Sequence, residues 1–304
     1  MSDHTPELLY LLHGDPSDLA EMLSTMRAAD VADAINRLDP PAAAKVLAAL
    51  PFDLAGQVLD QPELEDKAKI FGALVPAAAA PLIEAMSADE RADLFRRLSE
   101  PERARFIKLL GAETKKELER LLDHAPDTAG GIMTTEFVSA PGSWTVDETL
   151  RYIGEVGGAK ETVYMIYVLD REQRLAHVVS LRDLLLAERH AMLMDVGPQR
   201  KPLSVHVDCS RDEATRIISK YNLLALPVVD ERDHVLGIVT VDDVIDAIVQ
   251  ERSEDVVRFG GMEAIDEPYS DLGFMQMIRK RAPWLCALFL SEMLTATAMQ
   301  RFQG

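Results

Sequence analysis

The carboxylates that follow residue 241 are the side chains of this 304-residue chain whose spacing most directly suggests chemistry. They are Asp242, Asp243, Asp246, Glu251, Glu254 and Asp255. In a helix these spacings place like charges one turn apart, and each such pair is destabilising by roughly 0.2–0.5 kcal/mol. Only Arg252 and Arg258 lie near enough in sequence to offset them. The face therefore requires either full solvation or a bound counter-ion, and oxygen ligands suit divalent cations.

A second pair of acids, Asp89 and Asp93, lies one turn apart in the segment SADERADLF. An acid in the first turn of a helix interacts favourably with the helix dipole, which accounts for Asp89 without any function. Asp93 is placed less well for that role. The pair is therefore open to two interpretations, first-turn acids or ligands of a metal ion.

The composition excludes several classes of function. A net charge of −19 argues against nucleic acid as a partner, because nucleic-acid binding requires a basic face. Cys209 and Cys286 lie far apart with no zinc-ligand spacing, which fits a reducing compartment. Glycine loops that cradle phosphates, nucleophile elbows and HExxH motifs are missing from the sequence, so we expect no enzyme. His177 and His234 adjoin strand-like runs and are expected to be structural.

An internal repeat of twelve residues runs from Ala29 to Leu122. An apolar residue recurs in one phase and is usually followed by a helix starter or breaker, which predicts one helix of two or three turns per unit. Such short units bury an apolar face only by stacking, so we expect a helical solenoid, with a plain helical bundle as the alternative. Pro62 occupies the one missing position of the series Leu38, Leu50, Leu74, Met86, Leu98 and Leu110.

Two copies of an α/β unit follow a Pro- and Gly-containing boundary at residues 123–135. Residues 167–183 and 227–243 align without a gap, each with two β-rich runs around a polar turn. Upstream of each copy a capping residue, Thr145 or Ser210, precedes a helical segment. Each copy therefore predicts the order helix, strand, turn, strand, helix.

These copies resemble tandem CBS domains, small α/β units that pair into a disc and often sense nucleotides or ions. Residues 226–230 and 237–243 carry the matching landmarks in the second copy. In the first copy His177 replaces the usual glycine, while Ser180 and Asp183 keep the Ser-x-x-Asp pattern. The resemblance implies a homodimer formed through the CBS domains.

The order of the parts resembles the MgtE family of magnesium transporters. Its modest signals are the linker at residues 127–134, the start of the acidic helix at 240–244 and the Lys-Arg-Ala-Pro-Trp-Leu segment at 280–285. The resemblance implies a multidomain protein in which an all-α repeat domain precedes the CBS pair. The predicted domains are a helical-repeat domain at residues 1–126, CBS units at 127–192 and 193–250, a connecting helix at 251–282 and the start of a first membrane helix at 283–304.

The apolar run after residue 283 has two interpretations. Three basic residues at 279–281 and Trp284 precede it, as at the cytoplasmic approach to a membrane helix. The run is marginal in length and contains Glu292, so an amphipathic terminal helix or a buried core helix is the alternative. The resemblance implies a multi-pass membrane protein whose cytoplasmic region this chain forms and whose transmembrane pore lies outside it.

In the family the cytosolic region senses Mg²⁺, and ions bound between the domains hold a closed arrangement. The residues that match its acids here are Asp89, Asp93, Asp243, Asp246, Glu251, Glu254 and Asp255, with Asp212 a weaker match. Ser210 and Asn222 stand where family carboxylates are expected, which predicts that some peripheral sites are weaker or missing.

ATP is the second expected ligand, because CBS clefts commonly bind adenosine phosphates. Asp183 and Asp243 match the position that holds the ribose, and Arg182 is placed to meet a phosphate. Asp242 takes the place of Arg182 in the second copy, which favours the first copy as the nucleotide site. The alternative functions are therefore an adenine-nucleotide-sensing CBS module that acts on a partner protein and a helical-repeat adaptor.

Overall fold

The structure, a computed structural model, describes residues 22–245 together with residues 289 and 293. Its first part is a series of short helices, and all but one of them begin at multiples of twelve residues from Ala28. This confirms the predicted repeat of one helix per twelve residues. The helices are α1 (Ala28–Ile35), α2 (Pro40–Ala49), α3 (Phe52–Leu59), α4 (Lys67–Ala73), α5 (Pro76–Ala85), α6 (Ala88–Arg97), α7 (Glu100–Phe106) and α8 (Ala112–Leu122).

Helix α4 is the exception, since it begins three residues later than the repeat requires. Pro62 interrupts the apolar series at this point, and Asp66 before the helix adopts a left-handed backbone with φ of 50°. The Asn36 side chain stabilises the resulting loop by donating to the Glu63 carbonyl at 2.6 Å and accepting from the Glu65 N–H at 2.9 Å. The loop therefore accommodates the three-residue shift, and the series of packed helices continues beyond it.

Each helix of this domain packs mainly against the second helix along the chain, from the α1–α3 pair to the α6–α8 pair. Apolar residues of the repeat fill the centre, and Leu74, Met86 and Leu98 are each at most 5% exposed. The packing is that of stacked units, as expected for a solenoid.

Two three-stranded sheets follow, with the same topology in each. In the first, β1 (Val138–Pro141) is parallel to β2 (Met165–Leu169), which is antiparallel to β3 (Leu175–Ser180). In the second, β4 (Val205–His206), β5 (Ala225–Val229) and β6 (Val235–Thr240) repeat that order. The helices of this part are α9 (Ala129–Ile132), α10 (Val146–Val156), α11 (Leu181–Leu186) and α12 (Arg211–Tyr221), with 3₁₀ turns at Gly157–Ala159 and Leu193–Asp195.

The register of the sheets confirms the predicted duplication. Val168 pairs with His177 in the first sheet, and Val228 pairs with Gly237 at the equivalent place in the second. Both sheets shift register at the next residue pair. A tandem α/β pair therefore follows the all-α domain, as expected.

The backbone of the linker between the two parts pairs with the second CBS unit. Thr134 and Ile238 exchange two backbone hydrogen bonds of 2.9 Å, and the Gly130 N–H donates to the Val207 carbonyl at 2.9 Å. A Cβ on Gly237 would lie 2.6 Å from the Thr134 carbonyl oxygen, which explains the glycine there. At the equivalent place in the first copy His177 is accommodated, and its Nε2 lies 2.8 Å from a backbone carbonyl oxygen.

The expected connecting helix at 251–282 lies outside the described residues, and so does the apolar run except for residues 289 and 293. Residues 241–245, where the acidic face begins, are helical. Among the helices that the structure describes, none combines the length and the hydropathy needed to cross a membrane.

Candidate functional site between the helical domain and the CBS pair

Helix α6 brings the first of the predicted acids to the site. Ser87 has the backbone conformation of an N-cap, as its sequence position predicts, but its side chain makes no capping hydrogen bond. Its N–H instead donates to Asp60 Oδ1 at 3.0 Å, which draws the carboxylate at the end of α3 towards the start of α6. Burial raises the pKa of Asp60, a residue that the sequence did not indicate.

Asp89 lies in the first turn of α6, two residues after Ser87. Its Oδ1 atom is inaccessible to solvent and has no hydrogen-bond partner among the described residues. Burial raises the pKa of Asp89 well above its ordinary value, and the charges of Asp243, Glu161 and Glu90 raise it further. The helix dipole alone therefore does not account for this carboxylate, because it is held beside other negative charges.

Asp243 lies three residues after the end of β6 and belongs to the second CBS unit. Its Oδ2 accepts hydrogen bonds from the N–H and hydroxyl of Thr240, at 3.1 and 2.6 Å. Burial raises the pKa of Asp243 to about 6; the Thr240 hydrogen bonds oppose that shift, and the charges of Asp242 and Glu90 add to it. Thr240 holds the side chain in the manner of a capping box, so the orientation of the Asp243 carboxylate is fixed at the start of its own helix.

Glu136 and Glu161 complete the site from the first CBS unit. The Glu161 N–H donates to the Glu136 carbonyl at 2.8 Å, which holds the two segments together. Burial raises the pKa of each carboxyl to about 7, with a contribution from the charge of Glu136 at Glu161 and of Glu117 at Glu136. Neither residue was predicted, since nothing in their sequence spacing connects them to Asp89.

Fewer cations than carboxylates occur around this site in the described part of the chain. Lys67 pairs with Glu90 at 2.6 Å, and the buried Arg91 pairs with Glu117 at 3.3 Å. Lys160 lowers the pKa of Glu136 without reversing the effect of burial. We call the following carboxylates the acidic interface: Asp60, Asp89, Glu90, Glu117, Glu136, Glu161, Asp242 and Asp243.

The other predicted ligands are not all brought to the acidic interface. Asp93 pairs with Arg96 at 2.7 Å, and Arg96 also donates to the linker carbonyl of Gly131 at 2.8 Å. Asp212 is exposed in the first turn of α12, where the helix dipole accounts for it. The remaining predicted acids, Asp246, Glu251, Glu254 and Asp255, lie outside the described residues.

Ser210 and Asn222, which replace expected carboxylates, have structural roles at the two ends of α12. The Ser210 hydroxyl accepts from the Glu213 N–H at 3.3 Å as an N-cap. Asn222 ends the helix in a left-handed conformation with φ of 51°, which asparagine tolerates better than most residues. Both substitutions therefore suit the local backbone.

Within the described ranges no three Asp, Glu, His or Cys side chains converge closely enough to hold one metal ion between them. Mg²⁺ is commonly bound through one or two carboxylates and keeps several waters, so it does not require such a cage. Among the described residues the buried Oδ1 of Asp89 has no hydrogen-bond partner and experiences the charge of Asp243, which fits a hydrated divalent cation. The arrangement can therefore couple two domains through a shared counter-ion.

The expected nucleotide residues lie apart from the acidic interface, at the start of α11. Asp183 Oδ2 accepts from the Ser180 hydroxyl at 2.6 Å, as Asp243 does from Thr240. Gly197, with φ of 78°, brings its backbone close to the Asp183 carboxylate. Arg182 is exposed, so its guanidinium is accessible to an anion.

Comparisons with known proteins agree with the order of a helical domain followed by two CBS units. The family model of the MgtE intracellular N domain matches residues 26–127, and the CBS domain model matches residues 129–190 and 193–250. The solved structure described as the soluble part of a magnesium transporter has a TM-score of 0.74 and 30% identity, and the match covers 82% of this chain and 98% of that one. The chain belongs to the MgtE family.

Further comparisons show how much of an MgtE protein this chain represents. The cytosolic domain of the Mg²⁺ channel MgtE, solved in complex with ATP, has a TM-score of 0.72 and 34% identity, and the match covers 79% of this chain and 97% of that one. The magnesium transporter MgtE of Thermus thermophilus is 37% identical over 186 residues, which are 61% of this chain and 41% of that protein. The chain thus spans about two fifths of the length of the curated MgtE relatives that it matches.

Proposed function

We propose that this chain is the cytosolic Mg²⁺-sensing region of an MgtE-like magnesium transporter or channel, with a regulatory rather than a catalytic role. Mg²⁺ bound between the acidic faces of the helical domain and the second CBS unit favours the closed state. The observation that carries the proposal is the buried Asp89 Oδ1, which has no hydrogen-bond partner in the described part of the chain and lies beside the charge of Asp243.

The physical argument rests on repulsion between the two domains. Without cations the carboxylates of the acidic interface repel one another, and the charged forms are disfavoured by burial. A divalent cation binds only the arrangement in which both faces are close, so it shifts the population towards that arrangement. Locking the equilibrium strongly requires a differential affinity of about 10⁴, which several weak sites acting together supply. We include Asp93, Asp246, Glu251, Glu254 and Asp255 in that set on the family resemblance, with Asp212 as a weaker member.

Small-angle X-ray scattering of the 304-residue chain tests the proposal. Millimolar Mg²⁺ should reduce the radius of gyration, and the same ionic strength supplied as NaCl should not. A radius that does not respond to Mg²⁺, in a preparation that binds ATP tightly, would favour the alternative of a nucleotide-sensing CBS module.

ATP is a second proposed ligand, at the first CBS unit. The solved relative in complex with ATP supports it, together with the exposed Arg182 beside the oriented carboxylate of Asp183. We expect Arg182→Ala to weaken ATP binding measured by calorimetry, because it removes a cation that meets the phosphates. Alanine at the equivalent position of the second copy, Asp242→Ala, should leave ATP binding unchanged.

We also propose that the chain forms a homodimer through its CBS units. Exposed apolar side chains occur at equivalent places in both copies: Tyr164 is 62% exposed and Leu224 is 54% exposed. The backbone carbonyls of both accept a hydrogen bond from the first residue after the third strand of their copy. Leu185 and Leu186 in α11 of the first copy are also exposed, at 64% and 75%.

Sedimentation equilibrium of the chain tests the dimer. Leu186→Glu should shift the mass towards the monomer, since it places a charge in the apolar surface. Glu172→Gln, an exposed change in the turn of the same CBS unit, serves as the control. The transmembrane pore domain is the further partner that we propose, with this region on the cytoplasmic side of the cell membrane.

A further inference from the structure

Glu117 connects the helix that carries Asp89 to the linker that enters the CBS pair. Its Oε2 accepts from the Arg91 guanidinium at 3.3 Å, and its Oε1 accepts from the Thr135 hydroxyl. Arg91 is 5% exposed and also donates to the carbonyls of Ile83 and Met86, at 3.0 and 2.6 Å. Both oxygens of Glu117 are therefore engaged, one by each of the two domains.

Thr135 is connected to Asp243 through the neighbouring residue Thr134 and strand β6. Thr134, the preceding residue, exchanges two backbone hydrogen bonds with Ile238 in β6. The same strand ends at Thr240, whose N–H and hydroxyl orient the Asp243 carboxylate. At the other end, Arg91 lies two residues from Asp89 in α6. Hydrogen bonds alternating with short backbone segments thus connect Asp89 to Asp243.

We propose that Glu117 is a positioning residue for the cation site, and that by holding Arg91 and Thr135 together it sets the separation of Asp89 and Asp243. This inference rests on the proposed Mg²⁺-sensing function. Glu117 itself need not touch the ion. Its role is to keep the two faces close enough for one hydrated cation to serve both carboxylates.

A second threonine–glutamate pair, which joins Thr114 in α8 to Glu84 in α5, supplies a matched control. The Thr114 hydroxyl donates to Glu84 Oε2 at 2.6 Å, and the Gly111 N–H donates to Glu84 Oε1 at 2.8 Å. This pair is of the same chemical kind as Thr135–Glu117 but lies wholly inside the helical domain. Loss of this hydrogen bond should lower the stability of the helical domain and leave the distance between the two domains unchanged.

The Mg²⁺ midpoint of the compaction of the 304-residue chain measures the effect. Thr135→Val removes the hydroxyl at nearly constant volume, and we expect it to raise the midpoint about tenfold, since a hydrogen bond to a charged group is lost. Thr135→Ser keeps a hydroxyl and should restore the midpoint. Thr114→Val should lower the melting temperature and leave the midpoint unchanged. A Thr135→Val midpoint equal to that of the unmodified chain would overturn the inference.

A distance measurement without Mg²⁺ separates this inference from the proposed function. Spin labels on Arg97→Cys in α6 and Arg216→Cys in α12, in a background with Cys209→Ser and Cys286→Ser, report the separation of the two domains. Thr135→Val should lengthen or broaden the label distance, whereas Thr114→Val should not. An unchanged distance overturns the positioning role even when the chain binds Mg²⁺. If the unmodified chain shows no compaction with Mg²⁺, the proposed function is wrong. The label distance still tests whether the Thr135–Glu117 contact positions the two domains.

Discussion

After burial, the charge of Asp243 is the largest influence that raises the pKa of Asp89. The two carboxylates belong to different domains, one in the first turn of α6 and the other after β6. Their proximity destabilises the fold, because two like charges are buried near each other. Asp89 Oδ1 makes no compensating hydrogen bond within the described ranges. We interpret the pair as the centre of an interdomain contact that a cation completes.

Removing the charge of Asp89 should stabilise the chain in the absence of cations. At pH 8 we expect Asp89→Asn to raise the free energy of unfolding by about 1 kcal/mol, because a buried carboxylate without a partner is costly. The same variant should lose most of the stabilisation that Mg²⁺ confers. Urea unfolding with and without Mg²⁺ measures both effects.

Asp53→Asn is the control for this prediction. Asp53 is the second residue of α3, as Asp89 is of α6, but it is exposed. Its substitution should cost a few tenths of a kcal/mol through the helix dipole and leave the Mg²⁺ effect intact. Equal behaviour of the two variants would contradict the assignment of Asp89.

The stability of the chain should fall as the pH rises from about 4.5 to above 7. Burial raises the pKa of Glu136 and of Glu161 to about 7. The folded chain therefore binds more protons in this range than the unfolded chain, and by linkage its free energy of unfolding decreases with pH. Thermal unfolding in Mg²⁺-free buffers across this range measures the trend.

Glu136→Gln combined with Glu161→Gln should flatten this pH dependence, because glutamine does not titrate. The exposed Glu119→Gln, in α8, should leave it unchanged. A double variant with the slope of the unmodified chain would show that these two carboxyls are not the source. Asp60, Asp89, Glu90 and Asp243, whose pKa values are also raised, leave a residual slope of the same sign.

Gly237→Ala should destabilise the junction between the linker and β6. The new Cβ would lie 2.6 Å from the Thr134 carbonyl oxygen and 2.8 Å from Met133 Sδ, so the two segments must separate. We expect a loss of more than 1 kcal/mol in the free energy of unfolding and a weaker Mg²⁺ response.

Gly154→Ala gives the opposite sign and serves as the comparison. Gly154 lies inside α10, and a Cβ there would meet no atom within 4 Å. Alanine should therefore stabilise the chain by roughly 0.5–1 kcal/mol through its helix propensity. Both variants are compared by urea denaturation, and stabilisation by Gly237→Ala would contradict the observed junction.

Tyr167→Phe should stabilise the contact between the two CBS sheets. Tyr167 is fully buried beside Ala225 and Ile238, and its hydroxyl has no hydrogen-bond partner in the described part of the chain. Phenylalanine keeps the ring packing against Phe137 and removes the unpaired group, which should add about 1 kcal/mol to the free energy of unfolding. The exposed Tyr221→Phe should change it by less than about 0.5 kcal/mol, and a destabilised Tyr167→Phe would reveal a partner for the hydroxyl.

Much of the fold follows from local sequence patterns. The twelve-residue period predicted the helix starts because each unit carries its own apolar position and its own cap or breaker. Asp39 caps α2 as expected, since its side chain accepts from the Ala42 N–H at 3.1 Å. The duplicated strand pattern predicted both sheets for the same reason, and the irregular unit at Pro62 was visible as a gap in the series.

The acidic interface was only partly predictable, because its members come from segments that the fold brings together. Asp89 and Asp243 were indicated by the family resemblance, and each alone also suits a helix start. Asp60, Glu136 and Glu161 carry no local signal, since their significance depends on burial against another domain. Ser87 illustrates the same limit, because its position predicts a cap while its N–H serves Asp60.

The pairing of Thr134 with Ile238 also determines the order in which the two parts fold during translation. The helical domain consists of neighbouring contacts, so it can form as soon as it leaves the ribosome. The strand that the linker needs is translated about a hundred residues later, and closing so long a loop is slow compared with forming local helices. During that interval the charges of Asp243 and Glu161 are absent from the surroundings of Asp89. The arrangement to which we assign ion sensing therefore forms only when β6 closes onto the linker.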